Sequence, residues 1–208
     1  MDGKQANEGE RMIAGRNSMM GGSLPYDAEV EYLESTGTQF IKTGILMDSD
    51  IDVDIDFSFR DKSSGGVFVL GVRKVVNYYG YGKHIAITND PKVGVVFGGA
   101  FVYSINDVSP DTRINLKTRG RKLFLNDVEQ GEASGKVRDL NSEAFVFRAN
   151  GSDSASCKIR IYGASFENRR KFTPVRVGSI GYMYDKVTEK LFGNQGTGAF
   201  VVGPDKQL

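Results

Sequence analysis

Two stretches decide the fold: Gly181-Tyr-Met-Tyr-Asp-Lys-Val-Thr-Glu-Lys-Leu-Phe-Gly-Asn-Gln-Gly-Thr-Gly-Ala-Phe200, near the end of the chain, and Glu29-Val-Glu-Tyr-Leu-Glu-Ser-Thr-Gly-Thr-Gln-Phe-Ile-Lys-Thr-Gly-Ile45, near its start. Both read as strands broken by Gly- and Asn-containing turns. Gly181 and Gly193 suit turn conformations that side chains exclude. Asp185 and Asn194 can bond nearby backbone amides and hold those turns. Tyr182, Tyr184, Leu191, Phe192 and Phe200 supply apolar area to the last strands.

The interior continues the pattern. Ile51-Asp-Val-Asp-Ile-Asp-Phe-Ser-Phe59 alternates apolar and polar residues, which puts Ile51, Val53, Ile55, Phe57 and Phe59 on one buried face. Val67–Val72 is a continuous apolar run suited to an inner strand. His84–Thr88, Val93–Phe97 and Phe101–Ile105 follow, separated by Asn89-Asp90-Pro91 and Gly98-Gly99. Hairpin turns are expected around Arg119-Gly120 and Asn126-Asp127. Ala144–Arg148 and Lys158–Phe166 add two strands. No window shows a convincing helical period. About a dozen short strands with frequent turns predict an all-β sandwich or jelly roll of two antiparallel sheets.

Composition agrees. The chain has 208 residues, with 26 Gly for turns and 5 Pro. Its 27 basic and 26 acidic side chains leave a net charge of +1. A near-neutral chain without a Lys/Arg run has no general attraction to nucleic acid or acidic membranes. No stretch approaches a membrane span. Cys157 is the single cysteine. It forms no intrachain disulfide and reads as a small, partly buried apolar residue.

Residues 1–25 differ from the rest. They are rich in Gly, Asn, Ser and Met, with Gly3, Gly9, Gly15 and Gly21 six apart. Lys4, Glu8, Glu10, Arg11 and Arg16 are scattered through them, and they lack the charged-then-apolar pattern of a signal peptide. The expectation is an extended N-terminal arm, residues 1–25, ahead of one domain, residues 26–208. Met12, Ile13, Met19 and Met20 are the groups able to grip a partner. The arm is expected to gain its shape only on another surface.

Several phrases together resemble the concanavalin A-like (laminin G-like) jelly-roll family of phage virion proteins and gut bacterial surface proteins. They are Tyr32-Leu-Glu-Ser-Thr-Gly-Thr-Gln-Phe-Ile-Lys-Thr-Gly44, Leu123-Phe-Leu-Asn-Asp-Val128, Phe172-Thr-Pro174, Gly181-Tyr-Met-Tyr-Asp185 and Gly196-Thr-Gly-Ala-Phe200. The resemblance spans about residues 26–204. It implies a strand near the N-terminus lying beside one near the C-terminus. It also implies a virion structural or appendage role, such as a head fibre or tail appendage. The arm would then bind other virion proteins, and the chain would be a homo-oligomer, trimeric as fibre-like appendages commonly are.

The fold hosts binding, adhesion and catalysis alike, so function rests on sites. The glycosidases of this superfamily place carboxylates on one strand as Glu-x-Asp-x-x-Glu or a close variant, flanking the scissile bond. No such string occurs here. Glu29, Glu31 and Glu34 have the wrong spacing. Asp48, Asp50, Asp52, Asp54 and Asp56 read as a solvated strand face. No metal site or cofactor is expected; the nearest approach to a ligand set is Asp48 and Asp50. His84, the one histidine, makes a Ser or Cys triad a poor reading. The chain therefore reads as a non-enzyme. Its best ligand segment is Val76-Asn-Tyr-Tyr-Gly-Tyr-Gly-Lys-His84, where Tyr78, Tyr79, Tyr81 and His84 could meet a glycan. Arg148, Asn150 and Asp153 form a second polar loop, and Arg169, Arg170 and Lys171 a basic turn. A carbohydrate-binding module of a bacterial surface protein is the alternative reading, and a polysaccharide hydrolase the third.

Overall fold

A computed structural model of the chain describes residues 24–47, 51–60, 67–76, 79–81, 83–88, 92–134, 141–151 and 158–207. The alternation at 51–59 sorts as its spacing requires: Ile51, Val53, Ile55, Phe57 and Phe59 are each at most 1% exposed. The expected arm lies outside the described residues, apart from Leu24 and Pro25.

The described residues form twenty strands and no helix. In chain order they are β1 Ala28–Glu29, β2 Leu33–Ser35, β3 Ile41–Leu46, β4 Val53–Arg60, β5 Val67–Val72, β6 Lys74–Val76, β7 Tyr79–Tyr81, β8 Lys83–Ile87, β9 Val93–Phe97 and β10 Ala100–Tyr103. The second half adds β11 Ile114–Arg119, β12 Lys122–Leu125, β13 Val128–Glu132, β14 Glu143–Val146, β15 Ala149–Asn150, β16 Lys158–Phe166, β17 Arg170–Val177, β18 Ile180–Asp185, β19 Lys190–Phe192 and β20 Val201–Val202. Many of these strands are very short, which is why reading about a dozen from sequence undercounted them.

Two antiparallel sheets build a β-sandwich. The large sheet has eleven strands and runs β13-β12-β11-β4-β16-β17-β18-β19, with β1 on β17 and β2 between β16 and β20. The small sheet has seven and runs β10-β9-β8-β5-β14-β3, with β15 beside β5 in the one parallel pairing described. The expected inner strand, Val67–Val72, is indeed interior: β5 lies between β8 and β14. The inward faces share one core. Phe57, Phe59 and Phe166 come from the large sheet, and Ile85, Phe97 and Val146 from the small one. Burying such sets against each other is the main driving force for a sandwich.

A bulge explains how β16 keeps its face. Its register on β4 shifts between Ile161 and Gly163. The shift keeps Ile159, Ile161, Ala164 and Phe166 all buried, where strict alternation would turn the last two outward. Hairpin turns form where expected: Gly120, Asn126 and Asp127 have φ of 55°, 47° and 65°.

The two ends of the chain interlock. Leu33–Ser35 pairs with both β16 and β20, and Val30 bridges to Asp205. The Gln39 side chain, itself buried, accepts from Thr36 N–H at 2.8 Å and donates to the Thr197 carbonyl at 3.0 Å. Asn194 Oδ1 accepts from Phe40 N–H at 3.2 Å and Gly196 N–H at 2.8 Å. Asp185 pins the preceding turn, accepting from Lys171 N–H at 2.8 Å and the Thr188 hydroxyl at 2.5 Å. Both polar residues therefore do the turn-holding their sequence context implied. Gly181 does not sit in a turn. It lies inside β18, and glycine is needed there because a Cβ would strike the Leu33 side chain. Gly193 likewise makes room, for the Tyr182 ring.

These contacts rank two glycine substitutions. A Cβ at Gly196 would drive into the Thr38 carbonyl and the Gln39 backbone, whereas one at Gly178 meets nothing within 4 Å. Gly178 carries only the strain of a φ of 59°. Gly196→Ala is expected to cost at least about 3 kcal/mol and Gly178→Ala about 1 kcal/mol. Urea midpoints of the two variants check the order; a smaller loss for Gly196→Ala would show that the end-to-end lock is not tight.

Candidate functional site

Of the carboxylates that sequence reading weighed for chemistry, Asp52, Asp54, Asp56 and Glu34 are engaged with other groups. Asp52 Oδ1 accepts from Gly120 N–H at 2.7 Å. Asp54 accepts from the Asn115 amide at 2.8 Å, and Arg113 Nε donates to Asp56 at 3.0 Å. Lys117 stands 4.0 Å from Asp54, and Arg119 3.9 Å from Asp52. This face of the large sheet is a cross-strand lattice of opposite charges, not a row of like ones. Glu34 is buried against Arg160, whose Nε lies 2.6 Å from it. A shallow polar groove of about 470 Å³ between Asp52, Asp54, Arg119, Ser165, Glu167 and Asn168 has its charges paired in this way. Among the described residues, no group of three or more His, Cys, Asp or Glu side chains is placed to hold a metal. Asp48 and Asp50 lie outside the described residues, as do Met12, Ile13, Met19, Met20, Cys157 and Asp153.

The tyrosine segment forms a hairpin, β6 against β7, with Val76 opposite Tyr79 and Lys74 opposite Tyr81. Tyr78 lies outside the described residues. His84 is a buried residue. It stands on β8 opposite Gly71 and Val96 and is only 4% exposed. Its ring meets Phe68 edge-on at 5.0 Å, and Arg73 stands 5.1 Å above the same Phe68 ring. Gly71 is glycine because a Cβ would run into the His84 backbone. His84 is thus a packed residue of the small sheet. The other two loops are also engaged. Arg148 lies 4.6 Å from the Phe40 ring, Asn150 bonds the Glu143 carbonyl, and Arg170 links the Thr43 carbonyl to Asp185.

One edge of the sandwich gathers exposed apolar side chains. Phe101 is 56% exposed, Tyr103 40%, Ile105 64% and Val128 61%. Phe101 and Tyr103 stack at 5.6 Å with their planes 15° apart. The Tyr103 ring lies across Gly94, where any side chain would collide with it. Beside Ile105, a cleft of about 390 Å³ opens between the 106–112 loop and the Asn126–Gln130 turn. Its rim carries Asn106, Asp107, Ser109 and Thr112, and its floor Ile114 and Leu125. Exposed apolar groups gathered in this way mark contact surfaces more often than scattered single ones do.

Sequence reading placed Phe101–Ile105 on a strand but did not single out its outer side. The signal was present: Phe101, Tyr103 and Ile105 are apolar on the side opposite Val102, so both sides of the strand are apolar without a continuous interior run. No helix among the described residues is long and apolar enough to cross a membrane. No protein-family model matches the chain, and no curated protein matches it either.

Burial and the nearby Arg73 guanidinium push the His84 pKa down to about 4, against the Val72 carbonyl, which works to raise it. The folded chain thus refuses a proton that the unfolded chain accepts near pH 6.5. Stability is whole above that value and falls as pH drops toward about 4, by on the order of 3 kcal/mol. His84→Leu should flatten this slope. Urea unfolding at about pH 7 and about pH 4.5 measures it; an unchanged difference between the two would remove His84 as the cause.

Proposed function

We propose that this chain is a non-enzymatic virion structural protein, a head fibre or tail appendage, whose jelly-roll domain offers a contact surface. The observation that carries the reading is the distribution of free surface chemistry. Asp54 and Asp56 of β4 are tied into charge pairs, while Phe101, Tyr103, Ile105 and Val128, four of the ten exposed large apolar side chains among the described residues, stand along the β10 and β13 edge. Such a surface suits lasting contact with another macromolecule better than turnover of a substrate. The sandwich, and the pairing of strands from the two chain ends, are consistent with the concanavalin A-like family that the sequence phrases resemble. In this reading residues 1–25 dock the protein to the particle through Met12, Ile13, Met19 and Met20.

The cleft beside Ile105 favours one second reading, a carbohydrate-binding module. Amides, hydroxyls and one carboxylate over an apolar floor suit the hydroxyls and C–H faces of a sugar.

Deleting residues 1–25 is expected to leave a folded domain that no longer incorporates into particles; assembly at the full-length level would refute the docking role. A glycan array separates the second reading. Binding lost in Asp107→Ala assigns a glycan to the cleft, and binding lost in Tyr79→Ala assigns it to the tyrosine hairpin. A silent array with intact incorporation leaves the structural role standing alone.

A further inference from the structure

We infer that β10 is the seam of a symmetric dimer, in which two copies of this chain pair their β10 strands antiparallel about a twofold axis at Val102. The inference rests on reading this edge as a contact surface, and it names the partner.

β10 ends the small sheet and pairs only with β9 among the described residues. Ser104 N–H donates to the Val93 carbonyl at 2.7 Å, toward β9. Peptide groups alternate along a strand, so those of Val102 and Ala100 also face β9. Those of Phe101 and Tyr103 face away from the sheet, and no described residue bonds them. The next outward amide, Ile105 N–H, is capped by Gln130 Oε1 at 2.9 Å, which ends the open stretch. An unpaired strand edge is a template for another strand.

This edge also lacks the protection found at the other ends of the two main strand paths described. Gly98-Gly-Ala-Phe-Val-Tyr-Ser-Ile105 contains no charge and no proline. The other ends of the sheets are blunted. β13 carries Glu129 and Glu132 and meets β12 with a register shift between Leu123 and Phe124. β3 carries Lys42, and its Gly44 N–H is taken by Glu143 at 2.6 Å. β19 is three residues long and starts with Lys190. Charges, bulges and shortness are how sheets avoid edge-to-edge pairing, and β10 has none of the first two.

Self-complementarity selects a second copy over an unrelated strand. A twofold at Val102 sets Phe101 of each copy opposite Tyr103 of the other, as the pair that exchanges both N–H···O=C bonds. The exposed stacked rings of each copy then meet those of its mate on the outer face. Aromatic cross-strand pairs are among the most favourable. The same register lays Ile105 over Gly99 of the second copy. The Gly98-Gly99 turn, with φ of 56° and 95°, presents no side chain there. No like charges are opposed anywhere along the seam. An isologous contact closes at two copies, so the trimer expected from the family resemblance would need another contact. The seam is short, so the dimer should dissociate on dilution through roughly the micromolar range.

Sedimentation velocity of the full chain across a dilution series tests this. The expected result is a monomer–dimer equilibrium that Phe101→Lys and Tyr103→Lys abolish without lowering the melting temperature of the dilute protein. A register test does not depend on those variants folding well. In a Cys157→Ser background, Phe101→Cys chains mixed with Tyr103→Cys chains should cross-link on mild oxidation, while neither alone should. Facing residues of a bonded pair stand about 5.5 Å apart at Cα, within disulfide reach. A chain that stays monomeric at every concentration overturns the seam, as does a dimer that survives both lysine variants and gives no mixed cross-link. If that chain still incorporates into particles, the seam has failed and the contact-surface reading has not.

Discussion

A buried amide stands at the centre of the contacts that tie the beginning of this domain to its end. Gln39 satisfies its oxygen with Thr36 N–H and its nitrogen with the Thr197 carbonyl. A buried amide left half-satisfied would cost more than the bond contributes when made. The Ser35–Gln39 turn and the Asn194–Gly198 turn are therefore stable only together. Beside them β2 pairs with both β16 and β20, closing the large sheet across the chain ends. This closure sets contacts distant in sequence as the condition for the fold, so folding is expected to be slow relative to helical domains.

Much of the fold was legible because burial on one side imposes a period of two. Ile51 to Phe59 could be sorted without a structure, and every one of those five apolar residues is in the core. The phrases at the two chain ends were legible as turns through their Asp and Asn. What sequence did not reveal was why certain glycines stand where they do. Gly181 and Gly196 resemble turn glycines in sequence, yet each is set by a distant neighbour, Leu33 and Thr38. A close approach between segments far apart in the chain leaves no local signature. The β16 bulge escaped for the same reason: the register of β4 makes it visible, and one strand alone does not.

The candidate site was less legible. His84 looked available because it follows two glycines and a lysine in a tyrosine-rich stretch. Its neighbours on β5 decided otherwise, since Gly71 lets the two backbones approach closely and Phe68 packs edge-on against the imidazole. Lys83 is a sharper case. A lysine at the end of a loop reads as solvated, but this one is buried, with Nζ on the Ile51 carbonyl and 5.1 Å from the Phe97 ring. Asp52, Asp54 and Asp56 do lie on the side of β4 opposite its buried apolar set, but their partners on and just before β11 could not be known. Arg113, Asn115 and Lys117 face them only because β11 pairs with β4 in one particular register.

These pairings also bear on where the molecule can make contact. The outer face of the large sheet is covered by charge pairs and by arginines over tyrosine rings, Arg113 on Tyr162 at 4.3 Å and Arg160 on Tyr32 at 4.5 Å. Displacing them would cost solvation and geometry that a new partner would have to restore. The locked chain ends cannot open without unmaking the sheet. The β10 edge has neither restraint: its apolar side chains are exposed, and the outward peptide groups of Phe101 and Tyr103 are bonded to no described residue. Contact there adds hydrogen bonds and removes apolar area from water without first breaking anything. The open end of the small sheet, with Phe101 and Tyr103 exposed, contrasts with the paired charges where β4 and β11 face outward, and the proposed association at β10 follows that contrast.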